Sequence, residues 1–385
     1  MSATRIVLFA NTAWYLFNFR LDLANRLRDN GYEVILVAPD DIYINKLRLL
    51  GFSVEVLQMN RRGVNPWQEI KTIFSLRKIL LDLNADIIFN FTIKCVIHGS
   101  IAALLSNVNA RVNAVAGLGS IFTNTNIKFR ILKPLIKSLF KLTMLGKQAR
   151  LIVQNREDFN VFVANKIIDS EKISLIKGSG VSQQKFPMSG QTSSNNTVKI
   201  LFASRLLWAK GISEYVEAAR LLKESKHIQF LVAGDADPGN PDSVAQSDIE
   251  RWDSGNVHFL GHVDSMHELI SDSDIVVLPS NYGEGVPRIL VEAAACGKPL
   301  IAYDIPGSRE IIVDKENGVL IKEKNIPKLV EAILQLASSK YLRVQMGQRS
   351  HALFMSEFEE KNVNLQTIKV IESSMIDSVK KAIKV

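Results

Sequence analysis

"DIVVLPSNYGEGVPRILVEAAACGKPLIAYD", residues Asp274 to Asp304, reads as one strand, a loop, a helix and a second strand. Ile275 to Leu278 is a short aliphatic run without a polar residue, as expected of a strand covered on both faces in a parallel sheet. Pro279 and the polar residues after it end that strand. Pro287 suits a first helical position, where its missing N–H is not needed, and Gly297 suits the position just past the helix end. In open parallel sheets ligands collect beyond the carboxyl ends of the strands, so the loop that carries Glu284 is expected to face a site. The amides of Gly285 and Val286 then point out of a helix amino terminus, which fits an anion such as a diphosphate. Glu292 sits inside an otherwise apolar helix and needs a partner. It is either a solvent-facing helix glutamate or an acceptor for two vicinal hydroxyls, such as those of a ribose.

Working outward, the same alternation fills the chain. "RIVLFA", "YEVILVAP", "FSVEVLQM", "DIIFNF" and "VNAVAG" are strands in the first half, with helices near 16–31, 65–82 and 97–106. "VKILFAS", "IQFLVAG", "VHFLG", "DIVVLPS", "KPLIAYD" and "NGVLI" are strands in the second, with helices near 211–224, 264–271 and 287–296. Such alternation predicts parallel sheets with helices on both faces. The aperiodic "SGQTSSNNT", Ser189 to Thr197, separates the two series. The expectation is an N-terminal domain over 1–185, a C-terminal domain over 186–365 and a last helix over 366–385 that crosses back to the first domain. At 385 residues the chain suits two such domains.

Charge is uneven between the halves. Residues 1–185 hold 25 Lys+Arg against 13 Asp+Glu, whereas the remainder hold 22 against 26. Residues 87–156 contain no acid at all, which directs the first half toward something anionic. Within it, "IKFRILKPLIKSLFKLTMLGKQAR", Ile127 to Arg150, sets Lys133, Lys137 and Lys141 at four-residue spacing among Ile131, Leu132, Leu135, Ile136, Leu139 and Phe140. One reading is a helix packing its apolar side into its own core; the other is a helix lying on anionic lipid. No apolar run approaches the roughly 20 residues a membrane span needs, and no signal peptide is visible, so the expected place is the cytoplasm. Cys95 and Cys296 form no metal-ligand pattern and read as buried thiols.

Several classes are excluded by what a site would need. The first glycine is Gly31, too late for a dinucleotide turn after the first strand, and no Gly-x4-Gly-Lys-Ser/Thr element occurs. The sequence pI near 9.3 raises nucleic-acid binding, but the basic stretch shows no helix-turn-helix, zinc or RNP-like pattern. "FASRLLWAKGI" places Arg205 and Lys210 just after a strand, where a forked guanidinium and a point-charge ammonium both suit a diphosphate.

Taken in order, "SRLLWAKG", "FLGHV", "VLPSNYGEGVPRILVEAAACGKPLIAYDIPGSREII" and "NGVLI" resemble the C-terminal domain of retaining glycosyltransferases of family 4. The pair Glu284 and Glu292, with seven residues between, is the most specific element. More loosely, the opening and "NFTIKCVIHGSIAA" through "GLGSIF" resemble bacterial members that build surface or lipid-linked glycans. The resemblance implies a GT-B fold, two doubly wound Rossmann-like domains facing a cleft. It implies transfer from a nucleotide-sugar, by family expectation UDP-linked, to a glycan or polyprenyl-diphosphate-linked acceptor at the inner face of the cytoplasmic membrane. Arg205 and Lys210 would bind the donor diphosphate, Val263 the base through its backbone and Glu292 the ribose. Glu284 would lie by the reacting sugar, as the catalytic candidate. No metal or other cofactor is required by that chemistry. The sequence departs from the family in offering Asn11, Thr12 and Ala13 where a Gly-Gly pair is common, and Ala116 where a histidine is common. Asn11, Thr12 and His98 are therefore the acceptor-side candidates. A nucleotide-sugar epimerase, a phosphorylase of similar shape and a non-catalytic sugar-nucleotide binder are the rival readings.

Overall fold

The computed structural model describes residues 3–60, 63, 65–108, 110–117, 127–189, 197–253, 255–322 and 324–382. Two compact units emerge, Met1–Ser179 together with Lys361–Val385, and Gly180–Glu360. Both divisions fall a few residues ahead of positions 185 and 365. Of the expected linker, residues 190–196 lie outside the described residues.

The first unit holds a seven-stranded parallel sheet made of β1 (Arg5–Phe9), β2 (Glu33–Ala38), β3 (Ser53–Val56), β4 (Ile87–Phe91), β5 (Ala110–Val115), β6 (Ala149–Val153) and β7 (Ile173–Leu175). Its spatial order is β3-β2-β1-β4-β5-β6-β7, with Val7 beside Ile35 on one side and Ile88 on the other. Successive residues serve opposite faces, as a pleat requires. Ile6, Leu8, Leu36 and Phe89 join one apolar cluster, while Val7, Phe9, Ile35 and Ile88 join another. The helix Glu360–Ala382 belongs to this unit, burying Val363, Ile368 and Ile371 in the cluster of Ile6 and Leu8. Polar ties add to that packing: Asn364 donates to Asp22 at 2.8 Å, and Arg150 donates to the Ser373 carbonyl at 2.8 Å.

Gly180–Glu360 holds six parallel strands, β8 (Val198–Ala203), β9 (Ile228–Ala233), β10 (Val257–Gly261), β11 (Ile275–Leu278), β12 (Leu300–Tyr303) and β13 (Gly318–Ile321). Their order is β10-β9-β8-β11-β12-β13. In each sheet the order reverses beside the first strand, between β1 and β4 and between β8 and β11. Such switch points open crevices at the carboxyl ends of the strands. The sequence reading found all six strands of the second sheet and five of the seven in the first. It missed β6 and β7, which are five and three residues long. The helix expected to run unbroken to Gly31 is split at Arg20, whose φ of −131° leaves the helical region. The helix after β4 runs Ile93–Leu104 and so starts earlier than position 97.

Candidate functional site

In the second unit the functional candidates follow the two strands that flank the switch. Arg205 and Lys210 come after β8, Glu284 and Glu292 after β11, and the strands themselves are hydrogen-bonded partners through Val276 and Leu201. A cleft of about 340 Å³ at this edge is lined by Arg205, Gly234, Asp235, Asp237, Val263 and Glu292, among others. Gly234, at the end of β9, has φ +125°, and a Cβ there would lie 1.9 Å from the Ser204 carbonyl oxygen. Only glycine therefore lets the β8 and β9 loops close up as they do. Arg205 is half exposed, and its guanidinium donates to Asp237 at 2.8 Å. A larger groove of about 1130 Å³ opens between Thr197, Ile228 and Val257. Those residues begin their strands, at the edge where such sheets do not bind ligands, so the smaller cleft is the candidate.

Lys210 and Glu284 lie outside the lining of that cleft and face each other beside it. A 3-10 turn, Trp208–Lys210, ends at Gly211 with φ +80°, where a Cβ would fall 1.9 Å from the Pro279 carbonyl oxygen. That close approach presses the β8 loop onto the end of β11, and Asn281 N–H donates to the Ala209 carbonyl at 2.9 Å. The Lys210 ammonium then meets Glu284 Oε1 at 2.5 Å and stands 5.1 Å from the Tyr282 ring centre. On the far side, a Cβ at Gly307 would lie 1.9 Å from the Gly285 carbonyl oxygen, so the Glu284 loop is held between two backbones.

Glu292 is 8% exposed, on the helix Arg288–Ala295. Its partner is Arg288, one turn earlier, at 2.7 Å. Burial raises the Glu292 carboxyl above its usual value, and the Arg288 charge only partly opposes this. Pro287 needs correction: it is the N-cap residue with ψ 120°, not the first helical residue, and its carbonyl accepts from Leu290 at 3.1 Å. Its ring still costs no hydrogen bond there. Among the described residues, neither the Gly285 nor the Val286 amide is engaged by a backbone carbonyl. Gly297 closes the helix with φ +72°, as expected.

In the first unit, Asn11 and Thr12 follow β1, and His98 follows β4, so all three stand near the switch. Thr12 caps the helix Ala13–Phe19, its Oγ1 accepting from Tyr15 N–H at 3.1 Å. His98 is 5% exposed; its Nε2 lies 2.8 Å from Glu69, while Nδ1 is buried without a hydrogen-bond partner. Burial lowers the pKa of this imidazole, which favours the neutral ring. Lys94 reaches the other Glu69 oxygen at 2.8 Å and also the carbonyls of Asn60 and Gly63 at 2.7 and 2.8 Å.

The helix Ile127–Thr143 buries Phe140 against Phe162, ring centres 5.3 Å apart, so its later half packs into the core. Lys137 is half-buried and Lys141 exposed; the side chain of Lys133, like residues 118–126, lies outside the described residues. Cys95 and Cys296 are buried and free, and burial pushes both thiols up to about 12. Sequence reasoning missed Arg288, Asp237, Glu69 and Lys94. Arg288 was legible, four residues before a glutamate that needed a partner. Asp237 had a weaker signal, an Asp-Ala-Asp run at a strand's carboxyl end. Glu69 and Lys94 had none, because only tertiary contact joins them.

Comparison with known proteins shows the family and the fold. The family described as "Glycosyl transferases group 1" matches residues 185–352, and "Glycosyl transferase 4-like" matches residues 5–155. The N,N'-diacetylbacillosaminyl-diphospho-undecaprenol alpha-1,3-N-acetylgalactosaminyltransferase of Campylobacter jejuni is 32% identical, over 90% of this chain and 93% of its own. UDP-Gal:alpha-D-GlcNAc-diphosphoundecaprenol alpha-1,3-galactosyltransferase of Escherichia coli is 26% identical over 74% of each chain. Among solved structures, Anabaena HepE in complex with UDP and glucose superposes with a TM-score of 0.77 at 18% identity, covering 96% of this chain and 100% of that one. A glycosyltransferase from Rickettsia africae gives 0.78 at 17%, over 97% and 99%. The chain belongs to the group 1, family 4-like glycosyltransferases of GT-B fold, and it is a glycosyltransferase of polysaccharide biosynthesis. Among the described residues no helix is long and apolar enough to cross a membrane.

Proposed function

We propose that this enzyme moves a hexose or N-acetylhexosamine from a UDP-sugar, with the anomeric configuration kept, onto a glycan borne on a polyprenyl diphosphate at the cytoplasmic face of a membrane. The observation that carries the donor half is Glu292, a buried carboxylate in the wall of the same cleft as Arg205 and Val263. A nucleotide laid there puts its ribose hydroxyls on Glu292 and its base against the Val263 backbone. Its diphosphate then falls to Arg205, Lys210 and the Gly285 and Val286 amides. Lys210 turns to the diphosphate by loosening its bond to Glu284, which releases that carboxylate toward the donor sugar. Bond making follows on one face of the sugar: the acceptor hydroxyl oxygen bonds to the anomeric carbon as the carbon–phosphate oxygen bond breaks. The hydroxyl proton passes to the departing phosphate oxygen. Such a step rests on positioning and charge stabilisation by these residues, and uses no metal or other cofactor.

The acceptor half is supported by the names of the two relatives, both of which specify diphospho-undecaprenol-linked sugars. A lipid-borne acceptor requires the enzyme at a bilayer, and Lys133, Lys137 and Lys141 on the helix Ile127–Thr143 are candidates to meet its anionic headgroups. The test is incubation with a panel of radiolabelled sugar nucleotides, with and without a bacterial lipid extract. One UDP-sugar should pass its label to the organic phase only when lipid is present. Conversion of the donor to an isomer without lipid, or binding without turnover in both conditions, would overturn the proposal.

A further inference from the structure

The helix Pro66–Asp82 turns an apolar face outward as well as one inward. Leu76 and Leu80 are buried in the first unit's core. On the opposite side Trp67 is 80% exposed, Ile70 46%, Phe74 57% and Leu81 39%. At 3.6 residues per turn these four fall within an arc of about 60°. Large apolar side chains recurring on one solvent face mark an interaction surface rather than scattered exposure. Leu104 and Leu105 continue the patch: Arg77 of this helix donates to the Leu105 carbonyl at 2.8 Å, and both leucines are exposed.

Charge on the same face identifies the partner. Lys71, Arg77 and Lys78 flank the stripe, widening the arc to about 120°, and no acid falls within it. Glu69, the acid of the first turn, points the other way, into the contacts with Lys94 and His98. Asp82 lies at the helix end, off the arc. A face with tryptophan, isoleucine and phenylalanine in the middle and cations beside them fits a bilayer with anionic headgroups: rings and aliphatic chains enter the boundary region and the cations stay on phosphates. Topology places this face well. The helix follows β3, so Trp67 and Ile70 stand at the carboxyl edge of the sheet, where Thr12 and His98 also lie.

We infer that the Trp67–Ile70–Phe74–Leu81 face, with Lys71, Arg77 and Lys78, docks the first unit on an anionic lipid surface. This deepens the membrane-bound reading proposed above and rests on it, but assigns the contact to a different helix from Ile127–Thr143. The experiment is co-sedimentation of the full chain with vesicles of phosphatidylglycerol and phosphatidylcholine, and with phosphatidylcholine alone. The triple change Trp67→Ser, Ile70→Ser, Phe74→Ser should reduce binding to the anionic vesicles by about tenfold or more, at low and high salt alike, because it removes apolar insertion. Lys71→Glu with Lys78→Glu should reduce it at low salt and much less at high salt. All replaced side chains are exposed, and unchanged UDP affinity and thermal unfolding would show that the variants are folded. Unmodified protein that ignores anionic vesicles at low salt overturns both this inference and the membrane part of the proposed function. If Lys137→Glu with Lys141→Glu abolishes binding while the triple variant binds normally, this inference fails and the membrane reading survives. If the triple variant instead dissolves a dimer of the unmodified protein and leaves vesicle binding intact, the face belongs to a second copy and the inference is wrong.

Discussion

The two sheets share a switch point beside their first strand but furnish that edge differently. In the second unit Arg205 meets Asp237 at 2.8 Å, Lys210 meets Glu284 at 2.5 Å, and Arg288 meets Glu292 at 2.7 Å. The Lys210 and Glu284 side chains keep some exposure, at 10% and 21%. An incoming diphosphate can replace the carboxylate of such a pair at small cost, since anion is exchanged for anion. In the first unit Lys94 uses all three ammonium donors, on Asn60, Gly63 and Glu69. Thr12 caps a helix and His98 is sealed against Glu69. Under the proposed function, one edge releases its ion pairs to a ligand. The other uses its polar groups to hold a loop and two helices in place.

That contrast breaks most readily at Glu284. Glu284→Gln should lower turnover by about two orders of magnitude or more, as expected for one well-placed electrostatic contact, with UDP affinity not weakened in calorimetric titration. Transfer near the wild-type rate would mean that the Lys210–Glu284 pair is structural, and the two edges would then be alike. Glu292→Ala should weaken UDP and UDP-sugar binding by about 1.5–3 kcal/mol, the value of a buried hydrogen bond to a charged group. Equal affinity for every nucleotide would remove the ribose from this carboxylate.

A smaller effect is expected from the first unit. Lys94→Met should lower unfolding stability by about 1–3 kcal/mol, because Glu69 and two carbonyls lose their donor, while UDP binding stays as it was. A loss of UDP affinity instead would deny the separation of roles. The smallest effect is a slope with pH. Since burial raises the Glu292 carboxyl in the folded state, that group favours folding most below its unfolded value, and this contribution is lost as pH rises through the folded value. Nucleotide binding runs the other way: the ionised acceptor is the useful one, so UDP affinity should fall on acidification, by at most about tenfold per pH unit. Glu292→Gln should flatten this dependence, and an unflattened profile would assign it to another group.

How much of this was legible followed from sequence distance. The strand-loop-helix unit around Glu284 encodes its own geometry: aliphatic run, Gly-Val-Pro turn, Ala-rich helix and closing Gly297 are contiguous, and all six strands of that sheet could be read. Arg205 and Lys210 could be placed because they follow a strand directly. Even so, Pro287 came out one position early, since proline tolerates both the cap and the first helical site. The first unit was harder. Strand β7 has only three residues and β6 begins inside the basic stretch Ile127 to Arg150 that drew a helical reading, while the Glu69–Lys94–His98 cluster joins the starts of two helices across residues with no common pattern. Thr12 could be proposed for a ligand from sequence, but its use as a cap appears only when the helix start is known.

The helix Glu360–Ala382 also bears on how the polypeptide is made. A ribosome delivers the first sheet early, yet the residues that cover the Ile6 and Leu8 cluster leave it after the whole of Gly180–Glu360. The second unit is continuous in the chain and can complete its core before synthesis ends, whereas the first must wait with one apolar side uncovered. A product terminated ahead of Val363 would retain every residue of the candidate donor site and still expose the inner side of its first sheet. Such a fragment is suited to recognition by chaperones and proteases, which sense uncovered apolar surface and not lost chemistry.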